Sequence, residues 1–255
     1  MQNILSNRAV KLFIILGGFF ITNAIVAEFI GVKIFSLEET LGWEPLNWSL
    51  FGISGTLQLT AGVLLWPVVF IMTDVINEYY GQKGVRLLSY LTAGLISYGF
   101  IMVYGAIDLA PANWWIGVGQ AAGLDNMQVA FSQVFGQSLW IIVASLVAFL
   151  VGQILDAFVF YKVRIVTGDQ KIWLRATVST AVSQFIDSYV VLYIAFVMGP
   201  QKWAMNQFFA IGTVNYAYKL VVAILLIPLL YMLHYLIDGY LGKNLADRLR
   251  KNAKN

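Results

Sequence analysis

Six long apolar segments dominate the sequence and restrict its fold more than any other feature. They lie at about 12–30, 62–80, 85–104, 139–159, 176–197 and 209–237. Each has the roughly 20 residues that an α-helix needs to cross about 30 Å of hydrocarbon. The chain is 60% hydrophobic and 11% charged, whereas soluble domains are about 25% charged. The sequence therefore predicts an all-α polytopic membrane protein with six transmembrane helices in a single domain, 1–255.

The positions of lysine and arginine predict the orientation of these spans. Most of the 16 basic residues lie at the amino end, in the second and fourth connections and in the tail, whereas the other connections hold only Lys33 and Lys202. Cytosolic connections of membrane proteins carry such an excess of positive charge. We therefore predict that both termini are cytosolic. Basic residues arranged for topology do not indicate a nucleic-acid partner, and the lipid bilayer is the expected surrounding.

The outer connections carry their own signals. Tryptophans such as Trp43, Trp66 and Trp115 fit an interfacial aromatic belt. The third connection, about 107–133, has no basic residue, and we expect a short surface helix or a lid there.

Two carboxylates near the end of the second span need a physical explanation. Asp74 and Glu78 are four residues apart, so they lie on one helical face, with Asn77 beside them. By the helical rise, Asp74 lies about 9 Å inside a boundary near Tyr80. An ionised carboxylate at that depth costs roughly 3 kcal/mol, so Asp74 needs a partner, a proton, a water-filled cavity or a ligand. For Glu78, the alternative is that its side chain reaches the headgroups beside Lys83.

The acids at membrane depth outnumber the single lysine there. If all were ionised, the net negative charge in low dielectric would be prohibitive. Asp187 and Lys219 both fall near the middle of the bilayer, so we expect them to face the bundle interior, where they can pair. With that lysine used, Asp74 requires a proton or a ligand. The cations expected within reach of Glu78 and Asp156 are Lys83, Arg86, Lys162 and Arg164.

Several enzyme classes can be excluded. One histidine and no cysteine exclude a His-Glu-x-x-His metalloprotease, a thiolate metal site and a cysteine nucleophile. The chain has no Gly-x-Ser-x-Gly elbow and no nucleotide-binding loop. We expect no metal and no cofactor, and a small-solute carrier is the class that remains.

The polar side chains of the spans indicate the kind of solute. Carboxylates accept from paired N–H donors, carboxamides match amide edges, and aromatic rings stack on flat heterocycles. This set suits a planar heterocycle with several N–H groups, or an amine. It suits phosphate or sulfate poorly, because no arginine lies within a predicted span. The candidate substrate-binding residues are Asn23, Asp74, Glu78, Gln153, Asp156, Gln184, Asp187, Asn215 and Lys219.

Four stretches carry a resemblance to a known family. They are Thr-Asp-Val-Ile-Asn-Glu-Tyr-Tyr-Gly at 73–81, Val-Gly-Gln-Ile-Leu-Asp-Ala-Phe-Val-Phe at 151–160, the serine-rich segment 179–188, and Asn-Tyr-Ala-Tyr-Lys at 215–219 followed by Pro-Leu-Leu-Tyr. With the pair Thr22 and Asn23, these stretches resemble the queuosine-precursor transporter family of vitamin-uptake transporters. The resemblance extends over the spans in order, nearly the whole chain.

The resemblance implies import of 7-deazaguanine bases, such as 7-cyano-7-deazaguanine or 7-aminomethyl-7-deazaguanine, across the bacterial inner membrane. The family's motif residues carry over to Asn23, Asp74, Gln153, Asp156, Asp187 and Lys219. Glu78 is a less constant member of that pattern.

Two alternatives and the oligomeric state stay open on the sequence. The chain could be the substrate-binding subunit of an energy-coupling-factor importer, which also has about six spans. It could also be an intramembrane enzyme acting on a lipid or prenyl substrate. Small carriers often pair, and a twofold dimer is the commonest oligomer, so we favour a homodimer.

Overall fold

A computed structural model describes residues 7–168 and 171–253, and the described architecture is all-α. The α-helices follow one another through the chain, with short helical turns and small strands between some of them. They are α1 (Arg8–Ile30), α2 (Leu37–Leu41), α3 (Trp66–Asp108), α4 (Asn113–Ile116), α5 (Met127–Phe135), α6 (Leu139–Thr167), α7 (Ile172–Leu192), α8 (Met205–Leu225), α9 (Ile227–Leu241) and α10 (Lys243–Asn252). The prediction of an all-α membrane protein is confirmed.

Among the described residues, five helical segments are long and apolar enough to cross a membrane. One of them, Ala61–Asp108, has 48 residues and contains the predicted spans 62–80 and 85–104. It contains Gly81, whose φ of +67° and ψ of −175° are not helical. Glycine occupies this left-handed region without the steric cost that a Cβ brings. The backbone of α3 is therefore interrupted at the boundary between the two predicted spans.

The first half of α3 runs antiparallel to α1. In the helical turn just before α3, a Cβ built on Gly62 would lie 2.6 Å from the carbonyl oxygen of Ala27, so the two backbones are in close contact. At the other end, the Tyr80 hydroxyl donates to the carbonyl oxygen of Ala9 at 2.7 Å. Later residues of this half therefore contact earlier residues of α1, as expected for antiparallel segments.

The second half of α3 runs parallel to α1. The side chain of Leu88 packs on Gly17, and the rings of Phe100 and Phe29 lie 5.2 Å apart. The chain therefore reverses direction at Gly81, which supports two crossings within this one helical segment. Six crossings and the cytosolic side of the termini stay predictions.

The predicted span 209–237 consists of two helices. α8 ends at Leu225, and α9 begins at Ile227. Pro228 has no N–H to continue the α8 ladder, and its ring disfavours a regular preceding turn. The π-helical turn Tyr193–Met198 similarly extends α7 with irregular hydrogen bonding.

The connection between α1 and α3 contains strands that the sequence analysis did not predict. β1 (Ile34–Ser36) pairs antiparallel with β4 (Gln58–Thr60), and β2 (Trp48–Leu50) pairs antiparallel with β3 (Ile53–Gly55). A carboxylate oxygen of Glu38 accepts from the Leu57 N–H at 2.7 Å and closes the base of this connection. In the third connection, α4 and α5 agree with the expected short helices.

A cluster of one buried glutamate and three arginines holds α3, α6, α7 and α10 together. Glu78 is only 1% exposed, and its carboxylate lies 2.6 Å from Arg175, 3.2 Å from Arg164 and 3.5 Å from Arg250. The interpretation that Glu78 reaches the headgroups beside Lys83 is therefore wrong. The partner predicted correctly is Arg164.

Arg250 also joins the last two helices to α3. Its guanidinium contacts the Asp238 carboxylate at 2.5 Å and lies 5.1 Å from the ring centre of Tyr79. The Tyr79 hydroxyl donates to Asp238 at 2.7 Å. At the same end, Arg8 donates to the carbonyl oxygen of Tyr240 at 3.2 Å. The start of α1 and the end of α9 therefore lie on one side of the bundle, which supports the prediction that both termini share a side.

We predict that Glu78→Gln strongly destabilises the protein. The substitution keeps the shape of the side chain but removes the charge that neutralises buried arginines, and loss of one partner of a buried ion pair costs roughly 3–5 kcal/mol. The melting temperature of the detergent-solubilised protein measures this effect.

The matched control is Glu44→Gln, since Glu44 is exposed in the connection between α1 and α3. Equal melting temperatures for the two variants would show that the cluster contributes little to stability.

Candidate functional site

A cavity lies between the first half of α3, α7 and the junction of α8 with α9. It contains about 590 Å³ of atom-free space, part of it open to the surroundings. Its walls are mostly apolar, with a few polar groups from α3, α7 and α8. The polar lining residues are Asp74, Thr177, Thr180, Gln184, Tyr218 and Lys219.

Asp74 brings a buried carboxylate to the cavity wall. It lies on α3, one helical turn before Glu78, and is 4% exposed. Its hydrogen-bond contact is with the Ser179 hydroxyl, at a long 3.5 Å. In residues 7–168 and 171–253, no cationic side chain approaches its carboxylate within 4.0 Å. The carboxylate therefore keeps acceptor capacity for a ligand or a proton.

Gln184 brings an unsatisfied donor to the same cavity. Its side chain is 3% exposed, and its Nε2 has no hydrogen-bond partner among the described residues. A buried donor without a partner costs about 1–3 kcal/mol. A ligand that supplies an acceptor at this point would remove that cost.

Lys219 lies on α8 and forms an ion pair with Asp187 of α7. Its Nζ is 2.5 Å from the carboxylate, and each side chain is less than a fifth exposed. Asp187 packs against Gly152 of α6, where a Cβ would lie 3.6 Å from that of Asp187. The predicted pairing of Asp187 with Lys219 is confirmed. Lys219 lines the cavity, and the charge of its ammonium group is neutralised by Asp187.

A layer of polar side chains lies behind the cavity wall and joins α3, α6 and α7. The Thr73 hydroxyl donates to the side-chain oxygen of Gln153 at 2.6 Å, and the Ser183 hydroxyl donates to Asp156 at 2.9 Å. Gln153 and Asp156 are both 0% exposed. Asp156, which was expected to approach a basic residue, has no cation within 4.0 Å in the described part of the chain.

The structure separates the candidate residues into two groups. Asp74, Gln184 and Lys219 line the cavity. The others do not: Glu78 lies in the arginine cluster, and Asn23 donates to the carbonyl oxygen of Phe19 within α1 at 2.8 Å. Asn215 is partly exposed on α8. A role of any of these residues in substrate binding stays a prediction.

The aromatic wall and two threonines were not among the candidate residues. Trp66, assigned to the interfacial belt, and Phe70 line the cavity together with Tyr218. A sequence signal existed, because Trp66, Phe70 and Asp74 are spaced by four and form one helical stripe. The same reasoning applies on α7 at 177, 180 and 184.

No metal-binding group is apparent in the described residues. No three histidine, cysteine, aspartate or glutamate side chains among them are close enough together to hold a metal ion. The chemistry that this arrangement offers is recognition: a carboxylate acceptor, a carboxamide donor, a neutralised ammonium and aromatic rings.

We predict that Asp187→Asn and Lys219→Met each destabilise the protein by about 3 kcal/mol, because each leaves an unpaired charge in the bundle. The double variant should recover part of that loss, since no orphan charge remains. Melting temperatures in detergent, combined in a double-mutant cycle, measure the coupling.

The control substitution is Lys33→Met, which removes an exposed lysine in the connection after α1. Strictly additive losses for Asp187 and Lys219 would contradict an energetic role for the pair.

Comparison with known proteins supports a transporter. Residues 60–233 match the family described as "Putative vitamin uptake transporter". A "Probable queuosine precursor transporter" of Bacillus subtilis (strain 168) is 34% identical over 136 residues, 52% of this chain and 53% of the relative. A "Queuosine precursor transporter" of Escherichia coli (strain K12) is 28% identical over 194 residues, 76% of this chain and 79% of the relative.

The chain spans about half the length of the Bacillus relative and about four-fifths of the Escherichia relative. No solved structure matches the chain significantly. Bacterial relatives and several long apolar helices together indicate a multi-pass protein of the bacterial inner membrane. The family match covers more than half of the chain and confirms the resemblance seen in the motifs, so the chain belongs to the vitamin uptake transporter family.

Proposed function

We propose that this protein imports 7-deazaguanine bases, the class that includes 7-cyano-7-deazaguanine and 7-aminomethyl-7-deazaguanine. The observation that carries the proposal is that Asp74 and Gln184, whose Nε2 has no hydrogen-bond partner among the described residues, line one cavity with aromatic walls. The printed names of the two bacterial relatives support the same class of solute.

Asp74 is the proposed anchor for the donor edge of the base. A deazaguanine presents its N1–H and 2-amino group side by side, and the two oxygens of a carboxylate can accept both. Asp187 is less suited to this role because Lys219 already occupies its carboxylate at 2.5 Å. The absence of a cation within 4.0 Å of Asp74, over the residues described, leaves its oxygens for the base.

Gln184 is the residue proposed to bind the 6-oxo group of the base. Its Nε2 can donate to a carbonyl oxygen, which would satisfy a donor that has no partner in the described structure. Gln153 is less suited because its side-chain oxygen already accepts from Thr73 and the residue is fully buried behind the wall. The two adjacent groups on the base, donor edge and oxo group, then match two adjacent walls, α3 and α7.

Aromatic side chains provide the apolar faces for a flat ring. Trp66, Phe70 and Tyr218 line the cavity, and offset or edge-to-face ring contacts contribute about 0.5–1.5 kcal/mol beyond area burial. Lys219 contributes no net charge because Asp187 neutralises it. The charged group that the site presents to the base is therefore the Asp74 carboxylate.

The break between α8 and α9 lies at the cavity and is a proposed hinge for alternating access. Leu226 and Ile227, which flank the break, line the cavity with Ala223 and Leu230. Transporters commonly place substrate sites beside discontinuous helices. Movement of α9 about this point would open the cavity on the side where Leu230 lies.

We predict that a deazaguanine stabilises the purified protein and that Asp74→Asn weakens its binding by at least about tenfold, because a hydrogen bond to a charged group contributes roughly 1.5–3 kcal/mol. At about one hundred times its dissociation constant, the base should stabilise the wild-type protein by about 2.7 kcal/mol. Thermal shifts with guanine, hypoxanthine and 7-deazaguanines measure both effects. Hypoxanthine, which lacks the 2-amino group, should stabilise less.

The matched control is Asp125→Asn, because Asp125 is exposed in the third connection. Equal binding by Asp74→Asn and by the control would remove Asp74 from the site. Absence of any stabilisation of the wild-type protein by the panel would refute the proposed solute class.

Reconstitution separates the proposal from the two alternatives. Uptake of labelled base by proteoliposomes that contain this protein alone is expected for a self-sufficient carrier. Binding without uptake would favour a subunit that depends on an energy-coupling partner. Chemical conversion of a lipid or prenyl compound by the pure protein would favour the alternative that the protein is an intramembrane enzyme.

A further inference from the structure

Most of the buried charges near the cavity are neutralised by direct contact. Glu78 has its arginine partners, the nearest of them Arg175 at 2.6 Å, and Asp187 has Lys219 at 2.5 Å. Asp74 and Asp156 differ: within residues 7–168 and 171–253, no Lys, Arg or His nitrogen lies within 4.0 Å of either carboxylate. The same is true of the buried Glu28 on α1, whose carboxylate accepts from the Ser145 hydroxyl instead.

The two unpaired carboxylates form one cluster. Asp74 on α3 and Asp156 on α6 are 4% and 0% exposed. The hydroxyl of Ser179, on α7, lies 3.5 Å from an oxygen of Asp74, and the Asn77 side chain donates to the carbonyl oxygen of Ala157 at 3.1 Å, so the turns of α3 and α6 that carry the two acids are in contact. Ser183 donates to one oxygen of Asp156 at 2.9 Å, whereas the other oxygen, Oδ2, has no hydrogen-bond partner among the described residues.

Serine hydroxyls cannot neutralise this cluster. Ser179 and Ser183 are also within 3.2 Å of carbonyl oxygens one turn earlier in α7, so each hydroxyl hydrogen has a second acceptor. Two adjacent ionised carboxylates in a low-dielectric interior repel each other and lose their hydration, so such pairs share a proton. A proton on Asp156 Oδ2 would also convert an unsatisfied buried acceptor into a hydroxyl donor.

The charged groups around the cluster do not replace that proton. Arg175 of α7 attracts Asp74 through space but is in contact with Glu78, which opposes it. Lys219 of α8 lines the same cavity but is paired with Asp187. α9 contributes only apolar side chains to the cavity wall.

We propose that Asp74 and Asp156 form a proton-binding pair that couples import of the base to entry of a proton. The inference rests on the proposed function. Without substrate, the pair shares one proton. When the base donates to Asp74, that carboxylate must be ionised, so the proton resides on Asp156, and base and proton occupy the protein together. Release of both on the cytosolic side completes a cycle in which one proton enters with each neutral base.

The roles of the two residues differ because of their positions. Asp74 lines the cavity, from which a proton can reach its carboxylate, whereas Asp156 is not among the residues that line the cavity. In this proposal, Asp156 therefore holds the proton, and the proton enters and leaves the pair through Asp74.

Infrared spectroscopy of the purified protein without substrate tests the proton site directly. At neutral pH, we expect a band from a protonated carboxyl group that is lost in Asp156→Asn, shifted in Asp74→Asn and kept in Asp125→Asn. A spectrum of Asp156→Asn that keeps every such band of the wild-type protein would overturn the proton-binding pair, whatever the transported solute is.

Proteoliposomes test the coupling. With the membrane potential clamped at zero, a gradient of about one pH unit, acidic on the side of base entry, should drive about tenfold accumulation by a carrier that takes one proton with each neutral base. Asp156→Asn, whose amide has the same shape but binds no proton, should lose this accumulation and still exchange labelled for unlabelled base. Asp125→Asn should accumulate the base like the wild type.

The failures of the two proposals are distinguishable. Thermal stabilisation by 7-deazaguanine with exchange, but with no effect of the pH gradient on the wild-type protein, would overturn the coupling and leave the proposed function intact. No stabilisation by any base would refute the proposed function, and with it the coupling, while the infrared bands still decide whether the pair holds a proton. If Asp156→Asn fails to fold, proton entry measured with a pH-sensitive dye during base uptake by the wild type decides the coupling.

Discussion

Neutralising carboxylates inside an apolar bundle is the constraint on which this structure depends. An ionised acid at membrane depth costs several kcal/mol unless it has a partner. Glu78 meets this requirement by drawing arginines from α6, α7 and α10 to one point, and Asp187 meets it with Lys219 of α8. The two ion-pair groups connect most of the long helices, so charge neutralisation also decides which helices are neighbours.

The arginine cluster and the reversal at Gly81 act together to position the cavity. Glu78 is three residues before Gly81, so the cluster fixes the end of the first half of α3 at the point where the chain turns back. Asp74 lies one turn further into the bundle on the same face. Its carboxylate is thereby held at the cavity wall, more than 4.0 Å from the arginines that pair with Glu78.

One wall of the cavity is tied together by hydrogen bonds, and the other lies beside a break between two helices. On one side, Asp74 of α3 and Gln184 of α7 line the cavity, and these two helices are tied to α6 by hydrogen bonds from Thr73 and Ser183. The opposite wall comes from the junction of α8 and α9, where the helix is broken at Leu226. For a carrier, this division suits recognition on the hydrogen-bonded side and opening on the other. The unpaired acids Asp74 and Asp156 lie on the hydrogen-bonded side, where their separation and their hydration are controlled most closely.

The sequence by itself determined the all-α membrane fold and the family, and it indicated that Asp187 and Lys219 can pair. Hydrophobic length and residue depth decide these features, since two opposite charges at mid-bilayer have few other partners. It could not assign partners to Glu78, because Arg175 and Arg250 lie in segments that charge counting assigns to cytosolic connections and the tail.

Only the tertiary structure brought those arginines inward, from positions 97 and 172 residues away along the chain. It also decided that Asp156 has no cation in the described chain, that Trp66 and Phe70 face a cavity rather than lipid, and that the last predicted span is two helices. The physical reason is that helical periodicity specifies the face on which a side chain lies, whereas packing between distant segments decides what that face meets.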